Sequence, residues 1–301
     1  VIPGGGMNTQ GRALFIHAYK PTVLACTPSY ALYLGRVMEE LGYSPEESSI
    51  RIVITAGEPG PCIPSTKERI ESLWGAKLHD DFGCTEVAMT PFGYTCEQEV
   101  NQSERPANVH LMEDAYIAEV VNPETYEPVE DGKEGVLVVS NLFSESQPIL
   151  RFLMGDLTAL TKEPCVCGRT HMRAIGGLRG RADGIVKIRG IAFFPSTIED
   201  SIRRHPDLGD EFQVEISRRN DMDQVKITVE PKSAIPKESY SAPRDRVQRE
   251  LKGVLGIEVA VDLVPYGTLP RSSSKSQRII DLREPPFRSN FIKKPENDPA
   301  L

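Results

Sequence analysis

A regular alternation of helical and extended segments dominates the first third of the chain. SYALYLGRVMEELG (29–42) has apolar residues at helical spacing and closes on a glycine, and PSTKERIESLW (64–74) begins with a proline that suits a helix start. IRIVIT (50–55) and KLHDD (77–81) read as strands, the first of them buried. This rhythm predicts an α/β layer.

The second part of the chain is richer in strands. AYIAEVV (115–121) and GVLVVSN (135–141) flank a turn-forming segment, which predicts a β-hairpin. ADGIVKIRGIAFFP (182–195) predicts two short strands around Gly190. After it come a helix, two strands, a helix and a strand, so this region is predicted to form a β–α–β–β–α–β domain.

The predicted division is therefore a large domain over residues 1–181, a small α+β domain over 182–284 and a polar tail over 285–301. The chain starts Val-Ile-Pro without an initiator methionine, so we expect a processed, cleaved or incomplete copy of a longer protein.

Composition excludes several partners. The formal net charge is −8 with no long run of Lys or Arg, which argues against nucleic acid or an anionic membrane as the main partner. No apolar run approaches the roughly 18 residues of a membrane span, and no secretory signal pattern is present. The six cysteines are spread through a chain with ample core, so a reducing cytoplasm is the predicted location.

Four polar segments could bind a ligand. FGCTE (82–86) follows a strand, MGDLT (154–158) places Asp156 at the edge of a strand, and GRADGIVKIRG (180–190) lies at the predicted domain boundary. LPRSSSKSQRIIDLR (269–283) is a serine-rich loop that ends in a helix or a strand. Taken singly, these segments are equally well interpreted as a turn, a solvated carboxylate, a surface ion pair and a solvated lysine.

Taken together, their order and spacing resemble the adenylate-forming superfamily of acyl-CoA synthetases, and most closely its phenylacetate–CoA ligase branch. The resemblance covers about residue 10 to residue 283 and rests on TPSYALYL, AGEPGP, FGCTEV, EDAYIAEVVNPETYEPV, QPILRFLMGD, CVCGRTH, GRADGIVKIRGIAFFPSTIE and LPRSSSKSQRIIDLR.

This resemblance implies an α/β fold with a β-rich subdomain. Residues 1–181 would form the C-terminal part of a large adenylation domain, and residues 182–284 a small mobile domain. Such enzymes use ATP to convert a carboxylic acid, here an aryl or arylacetic one, into an acyl-adenylate with release of pyrophosphate. The small domain then turns, and CoA takes the acyl group and releases AMP. Because a carboxylate must attack a negatively charged α-phosphate, cations are needed where charge accumulates.

The resemblance also implies a role for individual residues. Lys275 would bridge the reacting carboxylate and phosphate, Glu86 would hold Mg²⁺, and Thr85 would contact the phosphates. Asp183 would be the hinge of the small domain, Asp156 would bind the ribose hydroxyls, and Arg181 would reach the ribose–phosphate region. The full set implied to bind ATP or AMP is Gly57, Glu58, Pro59, Asp81, Phe82, Gly83, Asp156, Arg181 and Asp183.

The chain departs from the family pattern at three places. Gly184 and Gly60 stand where the family often has an acidic and an aromatic residue, so hinge stiffness and the acyl pocket should differ. No Ser/Thr/Gly-rich phosphate loop ending in lysine is found; GGGMNT (4–9) lacks the lysine. The expectation is that the upstream part of the large domain is missing from this chain.

A second set of residues suggests a metal. In parts of the same branch a Cys and a His follow the FGxTE element and a CxCG element comes later; here these are Cys96, His110, Cys165 and Cys167. Three thiolates and an imidazole suit a closed tetrahedral Zn²⁺ site with a structural role. Buried free thiols are the alternative, and His171 is a substitute ligand candidate.

Three interpretations of function stay open. They are an acid–thiol ligase that uses ATP, Mg²⁺ and CoA, an adenylating enzyme with a carrier-protein thiol or an amine as acceptor, and a non-catalytic nucleotide-binding relative or fragment. A homodimer is common in this branch.

Overall fold

Helices and parallel strands alternate at the start of the chain. In this computed structural model, which describes residues 4–88, 91–101, 106–219, 222–271 and 278–283, they form an α/β layer. Its elements are α1 (Thr9–Tyr19), β1 (Val23–Cys26), α2 (Pro28–Glu40), β2 (Ile52–Thr55), α3 (Pro64–Trp74) and β3 (Lys77–Phe82). The two predicted helices and both predicted strands are confirmed, whereas α1 and β1 had no prediction.

Local sequence explains the boundaries of α2. The Thr27 hydroxyl accepts a hydrogen bond from the Tyr30 N–H at 3.4 Å, and proline occupies the first turn. The helix ends before Gly42, whose φ of 81° suits a glycine. At Gly35 a Cβ would lie 2.5 Å from Cδ2 of Leu73, so the absence of a side chain lets α2 and α3 pack closely.

Pairing in the main sheet changes from parallel to antiparallel at β3. The strand is parallel to β2 and antiparallel to β4. The sheet continues in the order β1-β2-β3-β4-β5-β9-β8-β7-β6, and β10 pairs with β8. The added elements are β4 (Gly93–Tyr94), α4 (Glu97–Val100), β5 (Val109–Leu111), β6 (Tyr116–Val121), β7 (Glu134–Asn141), β8 (Phe152–Thr161), β9 (Arg173–Ala174) and β10 (Gly180–Arg181).

Two predictions concern this sheet. Strands β6 and β7 form the predicted hairpin. Asp156, however, does not stand at the edge of a strand; it lies inside β8, because the strand continues on both sides of the MGD sequence and pairs with β7 and β10.

The C-terminal region has its own core. It comprises β11 (Val186–Ile188), β12 (Ile191–Phe193), α5 (Pro195–Arg203), β13 (Leu208–Arg219), β14 (Met222–Pro231), α6 (Ser241–Leu255), β15 (Ala260–Leu263) and β16 (Ile279–Asp281). The predicted β–α–β–β–α–β order and the turn at Gly190 are confirmed. β11 and β12 form a separate two-stranded sheet, and β16 completes a four-stranded sheet in the order β15-β14-β13-β16.

Packing changes near the predicted domain boundary. The Ala182 side chain packs with Val121 and Val136 of the large sheet, whereas Val186 belongs to the apolar core of the C-terminal region. The boundary between residues 181 and 182 stays a prediction. Among the residues described here, none of the helices has the length and apolarity to cross a membrane.

Candidate active site

A cavity of about 990 Å³ opens at the carboxyl end of β3, where parallel pairing gives way to antiparallel pairing. Ligands of α/β proteins commonly bind outside the carboxyl ends of the sheet strands. Strands β8 and β10 and the loop after β2 form further walls, and α5 and β16 close the cavity from the small domain. The predicted residues that line it are Gly57, Glu58, Pro59, Asp81, Phe82, Gly83, Glu86, Asp156 and Arg181.

Phe82 is held rigidly at the end of β3. Its ring meets Phe92 edge-on, with the centroids 5.0 Å apart. Strand pairing sets it opposite Gly93, where a Cβ would lie 2.6 Å from the ring. A flat apolar surface of this kind can border a nucleobase.

Two adjacent carboxyl groups of β3 line the cavity. Burial raises the pKa of Asp81. Burial, followed by the charge of Asp81, raises the pKa of Asp80 well above its usual value, although the Thr55 hydroxyl bonds to it. Asp80 was missed by sequence reasoning, which took its residues from a motif; the available signal was that Asp80 shares one face of the strand with the apolar residues Leu78 and Phe82.

Asp156 and Arg181 face each other across paired strands. They are register partners of β8 and β10, and a guanidinium nitrogen lies 3.9 Å from the carboxylate. The same guanidinium donates to the Met154 carbonyl at 3.1 Å. Gly155 has a φ of 82°, and a Cβ there would lie 2.9 Å from Nη2 of Arg181. The glycine therefore makes room for this arginine.

The loop after β2 is tied to α2. A carboxylate oxygen of Glu58 accepts a hydrogen bond from the Ser29 N–H at 3.1 Å, near the positive end of the helix. A Cβ at Gly60 would lie 2.8 Å from the Thr55 hydroxyl and 3.0 Å from Pro28, so an aromatic side chain has no room in this conformation.

Three predicted residues are not among the described residues that line the cavity. Thr85 is an exposed turn residue outside its lining. Asp183 lies in a single 3₁₀ turn beside the lining residue Gly184, and its side chain is outside the described part. Lys275 lies outside the described residues, although Arg278, three positions later, lines the cavity; sequence reasoning had missed Arg278.

The four predicted metal ligands come together. The sulfur atoms of the three cysteines and a ring nitrogen of His110 all lie within 4.8 Å of one another. Cys96 precedes α4, His110 is in β5, and Cys165 and Cys167 are in the loop after β8. The Cys96–Cys165 sulfurs are 3.9 Å apart, and Cys167 Sγ lies 3.5 Å from His110 Nε2.

These distances fit one tetrahedral ion. Zn–S and Zn–N bonds of about 2.3 and 2.1 Å imply ligand separations of about 3.8 Å for two sulfurs and about 3.6 Å for sulfur and nitrogen. Burial lowers the pKa of His110, which keeps the imidazole neutral. His171 is not in the cluster, and its Nε2 lies 3.7 Å from a carboxylate oxygen of Asp114.

A cation stands beside the cluster. Burial would raise the pKa of the Cys167 thiol, but Arg169 donates to its sulfur through backbone and side chain, and the pKa falls to about 7. Arg169 lies over the Tyr94 ring, which stacks on His110. Burial raises the pKa of Cys96 to about 11. The donor set is thus partly prepared to hold thiolate charge.

Two family models match the chain. The one described as AMP-binding enzyme matches residues 1–143, and the one described as AMP-binding enzyme C-terminal domain matches residues 190–283. The phenylacetate-coenzyme A ligase of Thermus thermophilus is 33% identical over 300 residues, which cover 94% of this chain and 65% of that protein. The chain therefore spans slightly less than two thirds of this curated relative.

Solved structures of 2-hydroxyisobutyryl-CoA ligase are also similar. In the postadenylation state with R3-HIB-AMP, that ligase is 30% identical with a TM-score of 0.84, over 94% of this chain and 59% of its own. In the thioesterification state with 2-HIB-AMP and CoA, the identity is 31% and the TM-score 0.56, over 94% and 58% of the two chains.

Proposed function

Because this chain belongs to the AMP-binding enzyme family, we propose that it activates a carboxylic acid with ATP to an acyl-adenylate and then transfers the acyl group to CoA. The observation that carries the proposal is convergence: segments around residues 57, 82, 156, 181 and 278, far apart in sequence, line one cavity. The acid is aryl or arylacetic, in keeping with the phenylacetate ligase among its relatives.

Each wall of the cavity has a part in this reaction. Phe82 and the loop at Gly57 border the adenine, and Asp156 accepts hydrogen bonds from the ribose diol. Arg181, held beside Asp156, reaches the ribose–phosphate region. Lys275 neutralises charge between the attacking carboxylate and the α-phosphate, where a preorganised cation stabilises the transition state most.

Magnesium, when bound, would neutralise phosphate charge, and Glu86 would hold it. Glu86 lines the cavity and is exposed, so its carboxylate is accessible to an ion that keeps several waters. Thr85 would reach the phosphates from the same turn.

The small domain turns between the two half-reactions, with Asp183 as hinge. The higher TM-score against the postadenylation state of 2-hydroxyisobutyryl-CoA ligase supports an adenylation-type arrangement here. In it Arg278 and Ile279, which follow the segment of Lys275 in sequence, line the cavity.

The Cys/His cluster holds a structural Zn²⁺ ion. The ion would link the segment after β4 to the loop after β8. Strand β4 pairs with β3 at Phe82, and strand β8 carries Asp156. Elemental analysis of gently purified protein should find one zinc per chain, and Cys165→Ser should lose it. Full zinc content in that variant, or none in the wild type, would contradict the site.

The test of function is carboxylate-dependent ATP–pyrophosphate exchange by the gene product that contains this sequence, over aryl, arylacetic and short aliphatic acids. Exchange with arylacetic acids is expected, followed by thioester formation with CoA. Exchange without CoA transfer would favour a carrier-protein thiol or an amine as acceptor. No exchange with any acid would favour a nucleotide-binding relative. Sedimentation and fractionation would test the proposed homodimer and cytoplasmic location.

A further inference from the structure

The two domains meet at a set of arginine contacts away from the motifs discussed so far. Arg69 of α3, in the large domain, donates to the carbonyls of Arg203 and His205, both at 2.7 Å. The same guanidinium donates to a carboxylate oxygen of Asp210 at 2.7 Å. Helix α3 is therefore bound to the end of α5 and the start of β13.

Asp210 receives a second arginine from the large domain. Nη2 of Arg36, in α2, lies 2.6 Å from its other carboxylate oxygen. The three side chains are only 15–18% exposed, so water screens their charges weakly. Burial would raise the pKa of Asp210, but Arg69, Arg203 and Arg36 hold it below its usual value. The carboxylate is charged at neutral pH.

Asp210 also contacts a residue that lines the cavity. The backbone carbonyl of Asp210 accepts a hydrogen bond from Arg278 at 2.6 Å, and the Arg278 guanidinium lies 4.4 Å from the centre of the Phe212 ring. Arg278 lines the cavity and follows the segment that carries Lys275. Asp210 thus joins two large-domain helices, through its side chain, to the flank of that segment, through its backbone.

We propose that Asp210 is a positioning residue for the adenylation half-reaction: with Arg36 and Arg69 it holds the small domain in the arrangement in which Arg278 lines the cavity. This inference rests on the proposed function. Since the two sides of the contact belong to different domains, a turn of the small domain separates Asp210 from both arginines. The contact should therefore serve acyl-adenylate formation and not the transfer of the acyl group.

Half-reaction rates test this role. Asp210→Asn keeps the shape and the backbone carbonyl but removes the charge, and it should slow ATP–pyrophosphate exchange about 10–100-fold, because small displacements of reacting groups cost that much. Thioester formation from preformed acyl-adenylate should stay within twofold of wild type. Arg36→Gln and Arg69→Gln, which break the contact from the other domain, should give the same split. Equal losses in both half-reactions, or none in either, would overturn the proposal.

Asp207→Asn is the matched control, since Asp207 pairs with Arg246 inside the small domain. It should leave both half-reactions unchanged; the same split in this variant would overturn the assignment to Asp210.

Hydrogen exchange of backbone amides provides a readout that does not depend on enzymatic activity. In Asp210→Asn, amides of 64–74 and 203–210 should exchange faster, while those of 212–216 and 225–229 in the small-domain core keep their protection. Unchanged exchange at the interface would overturn the contact's role. If the core loses protection too, Arg36→Gln becomes the deciding variant. If the wild-type protein shows no ATP–pyrophosphate exchange, the proposed function is contradicted. The hydrogen-exchange pattern still tests the contact in that case.

Discussion

The two walls of the cavity are built in different ways. The large-domain wall carries Phe82, Asp156 and Arg181 on strands that belong to one ten-stranded sheet. The small-domain wall, on α5 and β16, is docked onto the large domain by side chains, among them Asp210 on Arg36 and Arg69. Backbone ladders fix the first wall within the large domain, whereas side-chain contacts hold the second wall against it.

This difference matches the two half-reactions of the proposed activity. A nucleotide site that serves both half-reactions should stay in place, and the many hydrogen bonds of a sheet keep its strands fixed. A wall that moves away between half-reactions is better held by a few side-chain contacts that break together when the small domain turns. The comparison predicts that changes in the small-domain wall affect one half-reaction, whereas changes in the large-domain wall affect both.

The largest effect is expected at Lys275. Lys275→Ala should reduce adenylation about 10²–10³-fold, because it removes a cation aimed at developing charge. Thiolysis of preformed acyl-adenylate should be spared, and ATP–pyrophosphate exchange beside thioester formation measures the split. Lys133→Ala, at an exposed site before β7, is the control. An equal loss in both half-reactions would refute the role of Lys275.

Glu230→Gln should give a smaller loss of the same kind. Glu230 is 1% exposed and accepts hydrogen bonds from Arg271 at 3.0 and 2.6 Å and from the N–H groups of Gly267 and Leu269. The change leaves buried donors poorly paired, which costs about 1–3 kcal/mol of unfolding free energy. Because this loop leads to Lys275, adenylation should fall about tenfold.

Urea unfolding and the two half-reaction assays measure these effects. Glu238→Gln, at an exposed position in the same domain, should change neither stability nor rate. A stability loss with equal rate losses in both half-reactions would mean that Glu230 only stabilises the domain.

The fold was predictable where the signal is local. Helices α2 and α3 have apolar residues at helical spacing and recognisable ends, so short windows reveal them. Strands β4 and β9 have two residues each and no periodicity, and only their long-range pairing defines them. Asp156 was placed at a strand edge, but β8 continues through Gly155, whose φ of 82° is accommodated within the strand.

The site was predictable as far as motifs extend. The resemblance supplied nine of the residues that line the cavity, since each lies within a recognisable segment. It did not single out Asp80, whose burial gives it its character, or Arg278 and Asp210, whose contacts depend on how the two domains meet. The cysteine cluster needed the sheet: Tyr94 pairs with His110 and His110 with Arg173 of β9, and these pairings bring Cys96 to the loop of Cys165.

Gly155→Ala tests the large-domain wall. The φ of 82° is strained for alanine, which costs about 1–2 kcal/mol, and the new Cβ would lie 2.9 Å from Arg181. The displaced guanidinium should weaken nucleotide binding several-fold, measured as the apparent KM for ATP and, in thiolysis, for the acyl-adenylate. Gly132→Ala is a matched control, because Gly132 has a φ of 77° and open space around it. An effect on adenylation alone would break the comparison between the walls.

The last prediction concerns the pH dependence that Asp80 gives to the stability of the large-domain wall. Burial and the charge of Asp81 raise its pKa well above the usual value, so the folded state binds a proton more tightly than the unfolded state. Its contribution to stability is present below the unfolded pKa of about 3.9 and is lost as pH rises through the folded pKa, at about 1.4 kcal/mol for each pH unit between the two pKa values. In Asp80→Asn the free energy of unfolding should therefore fall less steeply from pH 4 upward than in wild type.

Urea titrations at several pH values test this, with Asp207→Asn expected to keep the wild-type slope over the neutral range. Parallel curves for Asp80→Asn and wild type would mean that the carboxyl is solvated, and that the large-domain wall is less dry than its sheet suggests.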